Sequence, residues 1–299
     1  MKMRSISTLL VFCAAIAGLV APTTAAAAEK KTINICWGPW ATNEAVTKVV
    51  QPIIEERFGH DVELTRGSIA VIYTGVASGD CDFFLGSWQP ETQKSYIEKY
   101  GPDMIDMGML YNGGRLGWAV PSYVPEDTVR TIGDLDQAEV AEKLNGRITG
   151  IDSGGGLMQN SEKAMSEYGL EERFDLMASS GPAMTAALDK AVDDEEWIVV
   201  TAWSPHWMFA AYDLRYLEDP KNRFGSEEQI RAVGRQGFFK EFPRVASFID
   251  RVYMPLAHME QVMLDAEKNG DVEQAAKEYL QNHQDRIDYW VTGELPSEQ

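Results

Sequence analysis

Short apolar runs alternate with stretches of helical period along most of the chain, which predicts an α/β protein with mostly parallel strands. TINICW (32–37) reads as a first strand. In NEAVTKVVQPIIEER, Val46, Val49, Val50, Ile53 and Ile54 recur at helical spacing. Thr42 is placed to cap that helix, and Pro52 is expected to kink it or shift its start. DVELTRG predicts a second strand, IAVIYTGVASGD a short helix closed by Gly79, CDFFLGSW a third strand and PETQKSYIEKYG a helix. RLGWAVPSYV is an extended stretch that could cross to a second domain. TIGDLDQAEVAEKLNG carries a capping box, Thr131 with Asp134 in place of the usual Glu. RITGIDSGGGLMQNSEKAMSEYG then reads as strand, glycine turn and helix. A helix in SSGPAMTAALDKAVDDEE, a strand in WIVVTAW and a return strand in DLRYLEDPKN follow. From about Ser226 the pattern is largely helical.

The first residues stand apart from this rhythm. Lys2 and Arg4 precede the apolar run ISTLLVFCAAIAGLVA, and PTTAAAAEK supplies small residues, the layout of a secretory signal peptide. The run is short for a membrane span. Residues 1–28 are therefore expected to be cleaved near Ala28, giving an exported, periplasmic protein. Cys13 follows Phe12 inside the run, a poor context for a lipid-modified cysteine, so a released protein is expected. No later segment is long and apolar enough to cross a bilayer.

The full chain of 299 residues has a formal charge of −19. Loss of residues 1–28 removes two of the 27 basic residues and none of the 46 acidic ones, which deepens the charge to −21. So acidic a surface argues against nucleic acid or anionic lipid as a partner. The remaining chain suits two domains of ordinary size. Of the two cysteines left, Cys36 falls near the end of one strand and Cys81 at the start of another. On adjacent parallel strands their sulfurs would sit at different heights, so two unpaired or buried thiols are expected.

Enzyme signatures are mostly absent: no HExxH, GxSxG, phosphate-binding loop, CxxC or EF-hand loop occurs. The four His residues show no metal-ligand spacing, so no metal, cofactor or catalytic residue is expected. Trp40, Trp88 and Trp203 each fall just past the predicted C-terminal end of a strand, the edge at which open α/β sheets bind ligands. Taken singly, each Trp is more often packing than ligand-binding. Three at equivalent strand ends reverse that balance and suggest a cage for a quaternary ammonium, which offers no hydrogen-bond donors and is held by ring faces. Gly154, Gly155 and Gly156 precede a helix, whose free N–H groups can receive an anion. A carboxylate site beside an aromatic cage describes a zwitterionic betaine.

GIDSGGGLM, TAWSPHWMFAAYDLRYLEDPK, FLGSWQP and WATNEAV resemble the substrate-binding proteins of glycine betaine and choline ABC importers, and the resemblance runs over essentially the whole chain after the leader. It implies a bilobal type II periplasmic-binding-protein fold, two α/β domains joined by a hinge, with 29–118 and 216–299 in domain I and 119–215 in domain II. Trp40, Trp88 and Trp203 match the cage, and Gly156 and Leu157 match the pair whose N–H groups hold the carboxylate. Some betaine binders carry His five residues after the second cage Trp, where this chain has Gln93. Asn43 and Glu44 could touch the ligand from the first helix, Trp118 could line the cleft, and His206 could substitute for the missing His. Capping, hinge packing and a structural role are the commoner readings of these four.

The resemblance implies an exported monomer that captures a quaternary-ammonium osmolyte, glycine betaine foremost, and docks on an ABC importer permease. Choline, trimethylamine N-oxide, carnitine and dimethylsulfoniopropionate are the alternative ligands. A choline-ester hydrolase would use the same cage, but its candidate nucleophiles Ser153 and Ser204 have no base at a recognisable spacing. A receptor that presents its ligand to a chemosensor remains open.

Overall fold

A computed structural model describes residues 31–295, so the leader expected at 1–28 lies outside the described residues. Nine strands form one mixed sheet: β1 (Thr32–Trp37), β2 (Asp61–Arg66), β3 (Phe83–Gln89), β4 (Met104–Pro121), β5 (Arg147–Thr149), β6 (Asp175–Met177), β7 (Val199–Ser204), β8 (Leu214–Tyr216) and β9 (Glu228–Arg235). Their order is β2-β1-β3-β9-β4-β7-β5-β6, with β8 pairing beside β4. The two ends of this path are parallel triplets, β2-β1-β3 and β7-β5-β6. Between them β9 and β4 run antiparallel to their neighbours.

That middle is where the expectation of a mostly parallel sheet fails, and where a strand appears at the start of the largely helical tail. EQIRAVGR is a strand, and its alternation is broken by a buried Glu at its start, Glu228, and by Val233 and Gly234 buried in succession. Few apolar residues mark it out from the helices that follow. β4 pairs with β9 through Met104–Gly114 and with β7 and β8 through Arg115–Pro121. It therefore begins 11 residues before Arg115, where the extended stretch was read to begin.

The first helix, Ala41–Ile53, buries Val46, Val49, Val50 and Ile53 on the stripe its spacing predicts. Burying each such side chain stabilises the fold by about 1.5–3 kcal/mol. Trp40, and not Thr42, is its N-cap residue. Pro52 lies inside it and has no N–H to give, and a π-helical turn, Ile54–Phe58, takes over directly afterwards. The capping box at Thr131 forms, with the Thr131 N–H donating to Asp134 Oδ2 at 2.7 Å, although it opens a 3₁₀ turn. Two C-terminal helices, Leu256–Asn269 and Val272–Asn282, pack on the first helix, and Asp271 caps the second of them with its carboxylate.

Cys36 and Cys81 form a disulfide, contrary to the expected thiols, with Cα atoms 5.6 Å apart. The height argument assumed that Cys81 belongs to the strand. It lies two residues before β3, in the bend after the helix Ile69–Ser78, where its N–H donates to the Gly75 carbonyl. A Cβ on Gly75 would stand 2.9 Å from the Cys81 sulfur, so the glycine makes room for the bridge.

Candidate functional site

The turn after β3 is built from both ends of the chain. Trp88 is the sixth of seven residues in β3, and the strand ends at Gln89, before Pro90. Glu228, the first residue of β9 and 3% exposed, reaches under that turn. Its Oε2 accepts from the N–H groups of Glu91 (3.1 Å) and Thr92 (3.0 Å), and its Oε1 accepts from the Thr92 hydroxyl. Burial holds the Glu228 carboxyl above its ordinary range, against these three donors. Gln93 closes the turn: its Oε1 accepts from the Tyr73 hydroxyl (2.7 Å) and from the Trp88 N–H (3.1 Å). The carboxamide oxygen is committed to protein donors. The Nε2 group has no hydrogen-bond partner among the described residues.

Opposite this turn the helix Gly156–Tyr168 begins at Gly155 without a side-chain cap. First-turn N–H groups have no partner in their own helix ladder, so those of Gly156 and Leu157 are oriented outward and partly positive. A Cβ at Gly156 would fall 1.9 Å from the Thr92 carbonyl oxygen, so only glycine lets the two segments approach this closely. The Trp40 indole N–H donates to Asp152 Oδ1 at 3.0 Å, and the Tyr96 hydroxyl donates to the Gly154 carbonyl at 3.1 Å. These bonds tie the glycine turn to the segments around Trp40 and Trp88.

One pocket collects the three tryptophans with Gly156, Leu157, Gln93 and Asn43. Trp88 and Trp203 are the penultimate residues of β3 and β7, one step inside the strands and not just past them. Trp40 does lie past β1, at the helix start. Asn43 takes part chiefly as a brace: its Oδ1 accepts from the Gly38 N–H (2.7 Å) and its Nδ2 donates to the Leu85 carbonyl (3.0 Å). No Asp, Glu, Lys or Arg lines this pocket.

Three sequence candidates fall elsewhere. Trp118 is fully buried, donates to the Ser161 hydroxyl at 2.9 Å and packs edge-on against Phe224. Glu44 faces a different cleft, on the far side of Trp203, and burial raises its carboxyl pKa. His206 lies behind the Trp203 ring, perpendicular to it with centroids 4.4 Å apart. Burial lowers its pKa to about 3, so the ring is neutral. The Met208 N–H donates to its Nδ1 at 3.1 Å, which puts the ring proton on Nε2. Thr92, Tyr111, Ile69, Leu116 and Ile151 also line the pocket, beside Thr42, Gly86 and Gly155, and sequence reading singled out none of those five. Only Thr92 carried a signal, one residue from Gln93 in the turn. Among the described residues no group of three or more His, Cys, Asp or Glu could hold a metal ion.

Parallel triplets joined through antiparallel central strands, with a pocket where the triplets' C-terminal ends meet, make up the type II fold of periplasmic solute-binding proteins. The chain belongs to the family described as the substrate binding domain of ABC-type glycine betaine transport systems, whose pattern matches residues 31–282. It is similar to lactococcal OpuAC, solved closed with glycine betaine, at 37% identity and a TM-score of 0.81, over 88% of this chain and 100% of that one. It is also similar to the glycine betaine/L-proline-binding protein ProX of Borrelia burgdorferi, at 30% identity and a TM-score of 0.82, over 87% and 96% of the two chains. The glycine betaine/carnitine transport binding protein GbuC of Listeria monocytogenes is 38% identical over 156 residues, 52% of each chain, so the match spans about half the length of that relative.

Proposed function

We propose that this protein captures glycine betaine in the pocket between Trp40, Trp88 and Trp203 and delivers it to an ABC importer permease. The observation that carries the reading is the convergence of three indoles and the helix start at Gly156 and Leu157 on one pocket without acidic residues. The rings enclose the trimethylammonium, each contributing about 0.5–2 kcal/mol of cation–π attraction depending on desolvation. The first-turn N–H groups and Gln93 Nε2 take the carboxylate. Choline has no carboxylate to use these donors and would need an acidic residue in the pocket, where Glu44 is not found. No bond is made or broken.

The division into 29–118 with 216–299 and 119–215 is supported by the change of pairing partners along β4 at Arg115. The Trp40–Asp152 and Tyr96–Gly154 bonds would form as the two parts close on the ligand. Family membership fits an extracytoplasmic protein, and residues 1–28 would direct export to the periplasm and be removed near Ala28. No helix among the described residues is long and apolar enough to cross a membrane. A monomer with a charge of −21 after loss of residues 1–28, which does not engage nucleic acid, completes the proposal.

Calorimetric titration with glycine betaine tests the pocket. Trp88→Ala and Trp203→Ala should each weaken binding more than about tenfold, the loss of about 1.4 kcal/mol that one ring with its apolar contacts represents. Trp290→Ala, buried among the C-terminal helices, should lower stability and leave affinity unchanged. Wild-type affinity in the first two variants removes the cage.

A further inference from the structure

We propose that the cleft on the far side of Trp203 is a second ligand site, built for a hydroxyl-bearing organic cation of the choline type. The cleft measures about 560 Å3, within the usual range for small-molecule sites. Trp203 lines both this cleft and the inner pocket.

Four carboxylates line the cleft: Glu44 from the first helix, Asp189 from the helix Gly181–Asp193, and Glu267 and Asp271 from the C-terminal helices. No Lys or Arg lines it. Neither Glu44 nor Glu267 has a hydrogen-bond or ion-pair partner among the described residues, and the charge of Asp189 is close enough to help raise the Glu267 carboxyl, after burial. Asp189 is held in place by the Tyr212 hydroxyl, which donates to its Oδ1 at 2.7 Å. Negative potential of this kind attracts a cation and repels a carboxylate.

The walls are aromatic. Trp207 and Tyr212 lie with ring centroids 6.0 Å apart, beside Trp203, and supply faces for an alkylated ammonium. His206 is the observation independent of the charge. It is 3% exposed, neutral, and has its Nδ1 occupied by the Met208 N–H. Its Nε2–H has no hydrogen-bond partner among the described residues, and His206 lines this cleft and not the inner pocket. The group that would match this neutral donor is a neutral acceptor such as a hydroxyl. Aromatic faces, four carboxylates and one donor describe choline better than a betaine, the reverse of the inner pocket. The inference does not depend on what the inner pocket holds.

The test follows the Trp207 indole Nε1–H resonance of the mature protein during titration with choline, tetramethylammonium and glycine betaine, in wild type and in Trp88→Ala. Choline should shift it saturably in both proteins, tetramethylammonium should bind at least threefold more weakly, and betaine should fail to displace choline from it. Asp189→Asn with Glu267→Gln should weaken the response to choline at least fivefold and leave betaine binding at the inner pocket within twofold. A Trp207 response that never saturates, that disappears in Trp88→Ala, or that survives unchanged in the double variant overturns the second site. Absence of betaine binding to wild type would instead count against the inner-pocket reading, with the Trp207 titrations still deciding the outer one.

Discussion

Replacing Glu228 by Ala strips three donors of their acceptor, the buried N–H and hydroxyl of Thr92 and the part-buried N–H of Glu91. A buried donor left unmade costs roughly 1–3 kcal/mol, and water entering the vacated space recovers part of that, so the net loss should be about 3 kcal/mol. For a chain of this size each kcal/mol lowers Tm by roughly 2 °C, which predicts a fall of about 6 °C. The same turn holds Trp88, whose carbonyl accepts from the Gln93 N–H at 3.2 Å, so betaine affinity should fall about tenfold as well. Glu228→Gln keeps an oxygen for the two N–H groups and can donate its amide hydrogen to the Thr92 oxygen. It should therefore stay within about 1 kcal/mol of wild type. The pH dependence separates the two replacements. Burial raises the Glu228 pKa above its ordinary 4.5, so what this group contributes to stability is fully present below that value and lost as pH climbs through the raised one. The Gln variant cannot titrate, and should gain on wild type as pH rises from the carboxylate range to neutrality. Thermal unfolding followed by circular dichroism across that range, with calorimetric titration at neutral pH, measures both effects. An Ala variant that melts with wild type, or a Gln variant as damaged as Ala at every pH, refutes the account of the turn.

Gln93→His should strengthen glycine betaine severalfold and choline hardly at all in side-by-side titrations, because a protonated ring adds charge to a donor already in place; equal effects on both ligands would show that position 93 does not face the carboxylate. The Cys36–Cys81 bridge closes a loop of sequence separation 45, worth about 4 kcal/mol of chain entropy. The Cys36→Ser, Cys81→Ser double variant should accordingly melt about 8 °C lower, and an unchanged melting temperature would contradict a stabilising role.

What could be read in advance follows the range of the interactions. The apolar stripe of the first helix, the capping box at Thr131 and the αL glycine at Gly79 rest on neighbours within a few residues, and each appears where spacing puts it, although the helix is capped at Trp40 and not Thr42. The three tryptophans were legible because their positions repeat a strand-end pattern, and the structure brings them to one pocket. β9 was lost because its first inward side chain is a carboxylate, Glu228, whose partners lie 136 and 137 residues earlier. Nothing local marks that bond. Tyr111 was missed with it, since the part of β4 that carries it pairs with β9. The disulfide was misjudged through a one-element error, a cysteine counted as strand when it sits in the bend before it. Glu44 and His206 show a finer limit: both neighbour the cage tryptophans in sequence, yet they border the opposite face of Trp203.

The central claim is that the indoles of Trp40, Trp88 and Trp203 hold the cation while the helix start at Gly156 and Leu157 holds a carboxylate. Calorimetric titration of the mature protein with glycine betaine and with choline, under one buffer and one salt concentration, tests it most directly. Tight, saturable betaine binding with choline at least tenfold weaker at the inner pocket is the predicted result. Choline binding there as tightly as betaine would leave the helix start without a role and contradict the account.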